Sequence, residues 1–519
     1  MLKAKLKILI FIQLLSMIWL SGCSVNPVTG EKQLMIVSES EEFQIGREQY
    51  VPAQQSQGGQ YYLDPELTLY VRQVGQKLAK VSDRPDLPYE FVVLNNSVPN
   101  AWALPSGKIA INRGLLVQLQ DESQLAAVLG HEIVHAAARH SAQRMQQGML
   151  TSAAIAGLGI ALHGQEYNEL ILGGAALGAN LAVAKYGRDD ELESDHFGMK
   201  YMSKLGYDLN GAVELQQLFV KMSEGQDSGW VQGLFASHPP SPERVEKNIQ
   251  TGQKFKSGTF RGRKEFDQAM RYLRSKMPAY ESYDAAMQLA TKKDMAGALA
   301  KLNASIKIEP NEAMFYALRG DIFKKQGNER LALAEYDKAV ALYPELFSSY
   351  LKRGETNQLL GNVKQAQADF AKSNALLPTS MATVGLGELA LTSGNKKQAS
   401  MYFSQAAPSG GNYGKQARDQ LARIELPDNP QKYLTVKHAL NRDGVVVAII
   451  ENRAPIDAIA IEVETIVFNP AGEIVERKRW LSEVPTAAGK QSTPLKDPIA
   501  NPLEAGFNVR GQVIKARAK

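Results

Sequence analysis

Cysteine is almost missing from this chain. Cys23 stands alone among 519 residues, so no intrachain disulfide can form and no thiolate cluster can hold a metal. Long apolar runs are missing too. A helical membrane span needs about 20 apolar residues, and the stretches Ile8 to Leu20, Thr151 to Leu162 and Leu170 to Ala184 all fall short. A large excess of one charge is likewise absent. The formal net charge is +5, and losing Lys3, Lys5 and Lys7 with a leader leaves about +2, which gives no electrostatic case for nucleic acid. No glycine cluster follows a strand in nucleotide-binding spacing, which excludes a dinucleotide or phosphate loop. Histidine is scarce as well, with seven in the whole chain. Any close grouping of them is therefore informative.

Two of the seven stand in His131-Glu132-Ile133-Val134-His135, on a segment that reads as a helix. Residues four apart share a helical face, so both imidazoles can address one ion. Glu132 sits about 100° round from His131, within reach of a water at that ion without ligating it. Two neutral nitrogens beside a carboxylate base make a zinc site suited to hydrolysis. A catalytic zinc usually takes three protein ligands. His140, nine residues past His131, lies on the opposite helical face and reads as a structural histidine packed among Leu129, Ile133 and Ala136. The third ligand is then a carboxylate from Tyr186-Gly187-Arg188-Asp189-Asp190-Glu191-Leu192-Glu193-Ser194-Asp195-His196. Glu191 and Asp195 are four apart, so one can bind metal while the other braces a ligand imidazole. Spacing leaves Glu193 as the alternative ligand, and a solvated acidic face as the bland reading.

The motif HExxH, then E-x-E-x-D, then His238-Pro239-Pro240-Ser241-Pro242-Glu243-Arg244 resembles the gluzincin metallopeptidases of family M48. The resemblance covers roughly residues 25–250 and resembles most the bacterial lipoprotein branch with tetratricopeptide repeats. It implies one Zn2+ per chain on His131, His135 and Glu191, with Glu132 as general base and Asp195 bracing a ligand. His238 and Arg244 match the family's H-P-x-x-x-x-R segment near the metal. Either can donate to the oxyanion that forms during peptide hydrolysis. His238, stiffened by its prolines, can instead take the fourth zinc position and restrain the resting enzyme. A plain surface turn is the remaining reading of that segment. The resemblance also implies a substrate-binding strand edge at Asn100, Ala101, Trp102 and Ala103, ahead of the turn Pro105-Ser106-Gly107. The competing reading is a simple hairpin with Trp102 in the core.

Residues 1–22 carry a basic start, a short apolar run and small residues, as a secretory signal does. Leu20-Ser21-Gly22-Cys23 resembles a bacterial lipobox, which implies lipidation of Cys23, with Ser24 favouring outer-membrane sorting. The stretches at 151–162 and 170–184 read as buried or lid helices, with partial membrane association as the alternative; Gly174 and Gly178 permit a close helix contact. Pro310, Pro344 and Pro378 then recur at 34-residue spacing, with Gly320, Tyr336, Ala339, Gly354, Phe370, Ala399 and Phe403 in tetratricopeptide positions. We read about four helical pairs over 279–424, a surface for a protein partner or a structural spacer. Beyond Pro430, the apolar run Val445 to Ile450 and the alternation Ile459, Ile461, Val463, Thr465, Val467 predict a small β-sandwich.

The expected fold is multidomain: a signal over 1–22, a mainly α zincin-like peptidase domain with a small edge sheet over 23–265, an α-solenoid over 266–426, and a β-sandwich-like module over 427–519. The expected function is a lipid-anchored periplasmic zinc endopeptidase of the outer membrane. Its substrates would be misfolded or stalled envelope proteins, with the repeats engaging outer-membrane assembly machinery. Two other readings stand beside it: a repeat-based chaperone or scaffold with a mainly structural metal, and a hydrolase of cell-wall peptides.

Overall fold

In the computed structural model the described residues are 23–146, 185–224, 237–441, 445–498 and 506–519. The signal-like residues 1–22 and the apolar stretches at 151–162 and 170–184 lie outside them. No helix among the described residues is long and apolar enough to cross a membrane. The chain divides into two compact units, at Leu377 and Pro378.

The first unit opens with a hairpin of β1 (Cys23–Val25) and β2 (Lys32–Leu34), followed by α1 (Glu39–Ser56) and α2 (Pro65–Lys80). Ser38 caps α1 in a reciprocal box with Glu41, and Asp64 caps α2 ahead of Pro65. Such caps satisfy amide donors that a helix start leaves open. A three-stranded sheet follows, ordered β3 (Glu90–Leu94), β5 (Lys108–Asn112), β4 (Ala101–Leu104). β3 runs parallel to β5 and β4 antiparallel, joined through Pro105-Ser106-Gly107. Ser106 and Gly107 both take positive φ there, 63° and 76°, the turn chemistry the dipeptide suggested. β4 is an edge strand in this order. Trp102 nonetheless turns inward, 2% exposed and edge-on to Tyr50.

Four helices then frame the site: α3 (Glu122–Ala137), α4 (Arg188–Lys204), α5 (Asn210–Glu224) and α6 (Pro242–Lys254). The repeats begin with the antiparallel pairs α7 (Arg271–Thr291) and α8 (Met295–Ile308), α9 (Ala313–Lys325) and α10 (Glu329–Leu342), α11 (Phe347–Leu359) and α12 (Val363–Leu376). Each of the last two pairs seats an aromatic ring over a glycine: Tyr336 over Gly320 and Phe370 over Gly354. A Cβ at either glycine would stand within 3.0 Å of the ring, so the small residue lets the helices cross closely. The first pairs share a continuous apolar core with α2, α3 and α4. Polar contacts tie the same joint. Glu312, buried at the head of α9, accepts from Tyr280 Oη at 2.7 Å and Asn95 Nδ2 at 3.0 Å. The Arg113 guanidinium lies 3.5 Å over the Tyr280 ring.

The second unit holds α13 (Ser380–Thr392), α14 (Lys396–Ala406) and α15 (Gly411–Glu425). Phe403 packs over Gly387 as the third instance of the same pairing. Two antiparallel three-stranded sheets follow, built from β6 (Leu434–Leu440), β7 (Val446–Asn452), β8 (Ala458–Phe468), β9 (Ile474–Ser482), β10 (Leu495–Lys496) and β11 (Asn508–Ala518). Their orders are β10-β7-β6 and β11-β8-β9. Leu434, Ile450, Ile461, Val463 and Val513 make one core between the sheets, so the module is sandwich-like. The fold class read from the sequence is the one observed.

Replacing Phe370 by Ala removes a fully buried ring that fills the space over Gly354. We expect a loss of about 3–5 kcal/mol, read from chemical denaturation of the full chain; an unchanged midpoint would show that the ring is not part of the packing.

Candidate active site

Helix α3 starts at Asp121, whose Oδ1 accepts from Gln124 N at 3.0 Å. Every residue of the helix is buried, so its two histidines are held away from bulk water. α4 crosses α3 at a pair of glycines. A Cβ at Gly130 would lie 3.3 Å from Gly198 Cα, and one at Gly198 would lie 3.0 Å from His131 N. That crossing carries Glu191 and Asp195, on the first turns of α4, to the histidine face of α3. α6 brings the third segment. Ser241 caps it by accepting from Arg244 N, and Pro242 takes its first turn, which sets His238 just ahead of the helix.

One ligand atom each from His131, His135, Glu191 and His238 lies within 4.8 Å of the others. His135 Nε2 stands 3.0 Å from His131 Nε2 and 3.3 Å from Glu191 Oε1. His238 Nδ1 is 2.9 Å from Glu191 Oε1 and 3.3 Å from His131 Nε2. Three imidazoles and a carboxylate suit zinc. Glu132 Oε2 and His238 Nε2 are also buried without a hydrogen-bond partner among the described residues, as expected of groups whose partner is an ion, a water or a substrate. The residues therefore fit a metal.

Asp195 Oδ1 is 2.9 Å from His131 Nδ1, so this carboxylate orients the imidazole from behind. Arg244 donates through Nε and Nη2 to Asp195, both at 2.8 Å, and its Nη1 lies 2.6 Å from Glu191 Oε2. Arg244 Nη1 also reaches Pro239 O. The guanidinium thus faces the two acids. Glu193 lies apart from the donor group, with Oε1 accepting from Asn26 Nδ2 at 2.9 Å. Trp102 is a core residue, while Ala101 and Asn100 lie beside the site, where Asn100 Oδ1 accepts from Ser237 Oγ. The Ala103 carbonyl already accepts from Ser141 Oγ at 2.7 Å and from Tyr186 Oη at 3.3 Å.

Two site residues had no functional reading in the sequence. Tyr186 stacks on His135 with ring centroids 3.6 Å apart, and the Arg144 guanidinium covers its other face at 3.3 Å. His140, buried, does not lie on the opposite side from the histidine pair; its Nδ1 is 3.0 Å from His135 Nδ1. Beside Glu132 an apolar pocket opens, walled by Leu115, Val128, Met199, Leu215 and Phe219.

The model of peptidase family M48 matches residues 65–250, the span that holds all of these groups. Metalloprotease YcaL of Escherichia coli is 33% identical over 181 residues, which cover 33% of this chain and 67% of that protein. The chain belongs to peptidase family M48. Two longer relatives are matched in part. Mitochondrial metalloendopeptidase OMA1 of Schizosaccharomyces pombe is 34% identical over 35% of this chain and 51% of its own length. A putative beta-barrel assembly-enhancing protease of Vibrio cholerae is 28% identical over 37% and 40%. The chain thus spans about half or less of these two relatives. A thermophilic TPR protein of Thermus thermophilus overlaps 28% of this chain and 81% of its own, at 18% identity and a TM-score of 0.25.

The M48 site is charged in a balanced way. Burial would raise Glu191 and Asp195, but His238, Arg244 and His131 outweigh it at Glu191 and hold that carboxyl well below its usual range. Arg244 and His131 likewise outweigh burial at Asp195 and lower it. Burial dominates at the other two groups, raising Glu132 and pushing His135 well below 6.5. His135 is therefore a neutral donor. At His131 burial is overcome by Glu191 and Asp195, which lift the pKa to about 10. A group lifted above its ordinary value keeps its proton through neutral pH, and a metal has to displace it. Apparent affinity for zinc should then rise by about tenfold per pH unit between pH 7 and 9, measured by chelator competition; a flat profile would show that His131 is already neutral.

Proposed function

We propose that this chain is a zinc endopeptidase of the bacterial envelope, anchored by a lipid on Cys23 and facing the periplasm, that cuts misfolded or stalled envelope proteins. One observation carries the reading: four buried donors converge beside Glu132, whose Oε2 has no protein partner among the described residues. Zinc on His131, His135 and Glu191 would supply a Lewis acid beside the scissile carbonyl. Glu132 takes the proton of the attacking water and returns it to the leaving amine. Its raised pKa suits a group that must both accept and release that proton. Asp195 fixes the His131 tautomer, and Arg244 holds Asp195 and Glu191 together. The pocket of Val128, Met199, Leu215 and Phe219 takes an apolar substrate side chain. The outer edge of β4 receives the extended peptide near Asn100 and Ala101.

The repeats offer helical surfaces for a protein partner or a substrate segment. Likeness to a putative beta-barrel assembly-enhancing protease supports outer-membrane assembly machinery as that partner. A chaperone with a structural metal has no use for Glu132, and nothing at the site favours cell-wall peptides over protein. Glu132→Gln should lower casein cleavage by about 10²–10⁴-fold while metal content stays at one zinc per chain. Undiminished cleavage, or muropeptide turnover without casein turnover, would sink the reading.

His238 belongs to the donor group and its Nε2 lies 3.5 Å from Glu132 Oε1. As a fourth donor it occupies the place a water needs, which supports a restraining role. His238→Ala should raise basal cleavage several-fold, by analogy with opening a closed zinc site; a fall in cleavage assigns His238 to the oxyanion instead.

A further inference from the structure

We propose that His140 is a positioning residue for His135, and that the N-terminal arm over residues 24–37 holds it in place, so that metal affinity depends on the arm. The inference rests on the metal reading above. α3 ends at Ala137, and two residues later Arg139 takes a left-handed backbone with φ 67°. That turn breaks the helical phase that would send His140 away from the metal face. It returns the ring beneath His135, with the two Nδ1 atoms 3.0 Å apart.

The proton assignment follows from ligation. When His135 offers Nε2 to a metal, its Nδ1 carries the hydrogen, so His140 Nδ1 must be the acceptor. The His140 proton is then on Nε2, which faces Glu193 Oε1 at 3.5 Å and Asp190 Oδ1 at 3.7 Å. His131 is backed by a carboxylate directly, whereas His135 is backed by an imidazole that itself faces two carboxylates.

The arm supports this second column at several points. Asn26 Oδ1 accepts from Val28 N at 2.8 Å, which leaves Asn26 Nδ2 directed at Glu193 Oε1, 2.9 Å away. Buried Arg139 donates from Nη2 to Val37 O and from Nε to Glu42 Oε2, both at 2.8 Å, and so holds its own left-handed turn. Ile36 N donates to Gln146 Oε1, and Gln143 pairs with Gln33, on the segment just past His140. The arm begins beside Cys23, so the residue proposed to carry the lipid is a few positions from the brace on the metal.

The test measures zinc affinity of the full chain by chelator competition, with cobalt substitution as a spectral check on His135 geometry. His140→Ala should weaken zinc binding by about 10–100-fold and shift the cobalt bands. His140→Gln, which can accept from His135 and donate to Glu193, should recover most of that loss. Asn26→Ala, which leaves the column intact and loosens its support, should weaken binding by about threefold to tenfold. Wild-type affinity in His140→Ala, or equal losses in the Ala and Gln variants, overturns the positioning role. Wild-type affinity in Asn26→Ala overturns the part played by the arm, even if His140→Ala fails to fold. A wild-type chain that binds no zinc would refute the metal reading itself, a separate outcome from tight wild-type binding with an inert His140.

Discussion

A side chain at Gly198 would meet the backbone nitrogen of His131 at 3.0 Å, and one at Gly130 would meet Gly198. α3 and α4 therefore cross almost backbone to backbone. The rest of the site depends on that approach. The close crossing lets Glu191 reach the Nε2 atoms of both imidazoles and Asp195 reach Nδ1 of His131. A methyl group in the contact would push the helices apart, and the donors, now within 4.8 Å of one another, would separate. Packing comes first here and coordination follows from it.

The second constraint is electrostatic. Three carboxylates, one guanidinium and three imidazoles lie buried together, an arrangement that costs a great deal unless charges are matched. Arg244 matches two acids at once, and His131 lies between Asp195 and Glu191, which raise its pKa. Glu132 stands outside the matched set and stays raised by burial. This difference in environment separates Glu191 from Glu132, two glutamates of equal intrinsic acidity.

The repeats obey the same rule as the site, since each aromatic ring sits where a glycine leaves room for it. That pattern was legible in the chain because solenoid contacts are local and recur at fixed spacing. The peptidase helix, the carboxylate segment, the hairpin turn at Ser106 and the alternating strand at Ile461 and Val463 were legible for a similar reason, each being a short-range pattern. His140 was misread because helical phase was extended through Arg139, and nothing in the local sequence announces a left-handed arginine. Arg244 was read for its charge, and only the fold reveals that it donates to Asp195 and pairs with Glu191. Tyr186 is an ordinary tyrosine until His135 lies 3.6 Å from its ring.

By itself, then, the order of residues determined the elements, the repeat, and the short list of atoms able to hold a metal, because hydrophobic period, turn chemistry and ligand spacing act over a few residues. It left Glu191 and Glu193 undivided. The tertiary structure decided between their surroundings, setting one against His131 and His135 and the other against Asn26, since the direction of a side chain on α4 has meaning only once α4 is docked on α3.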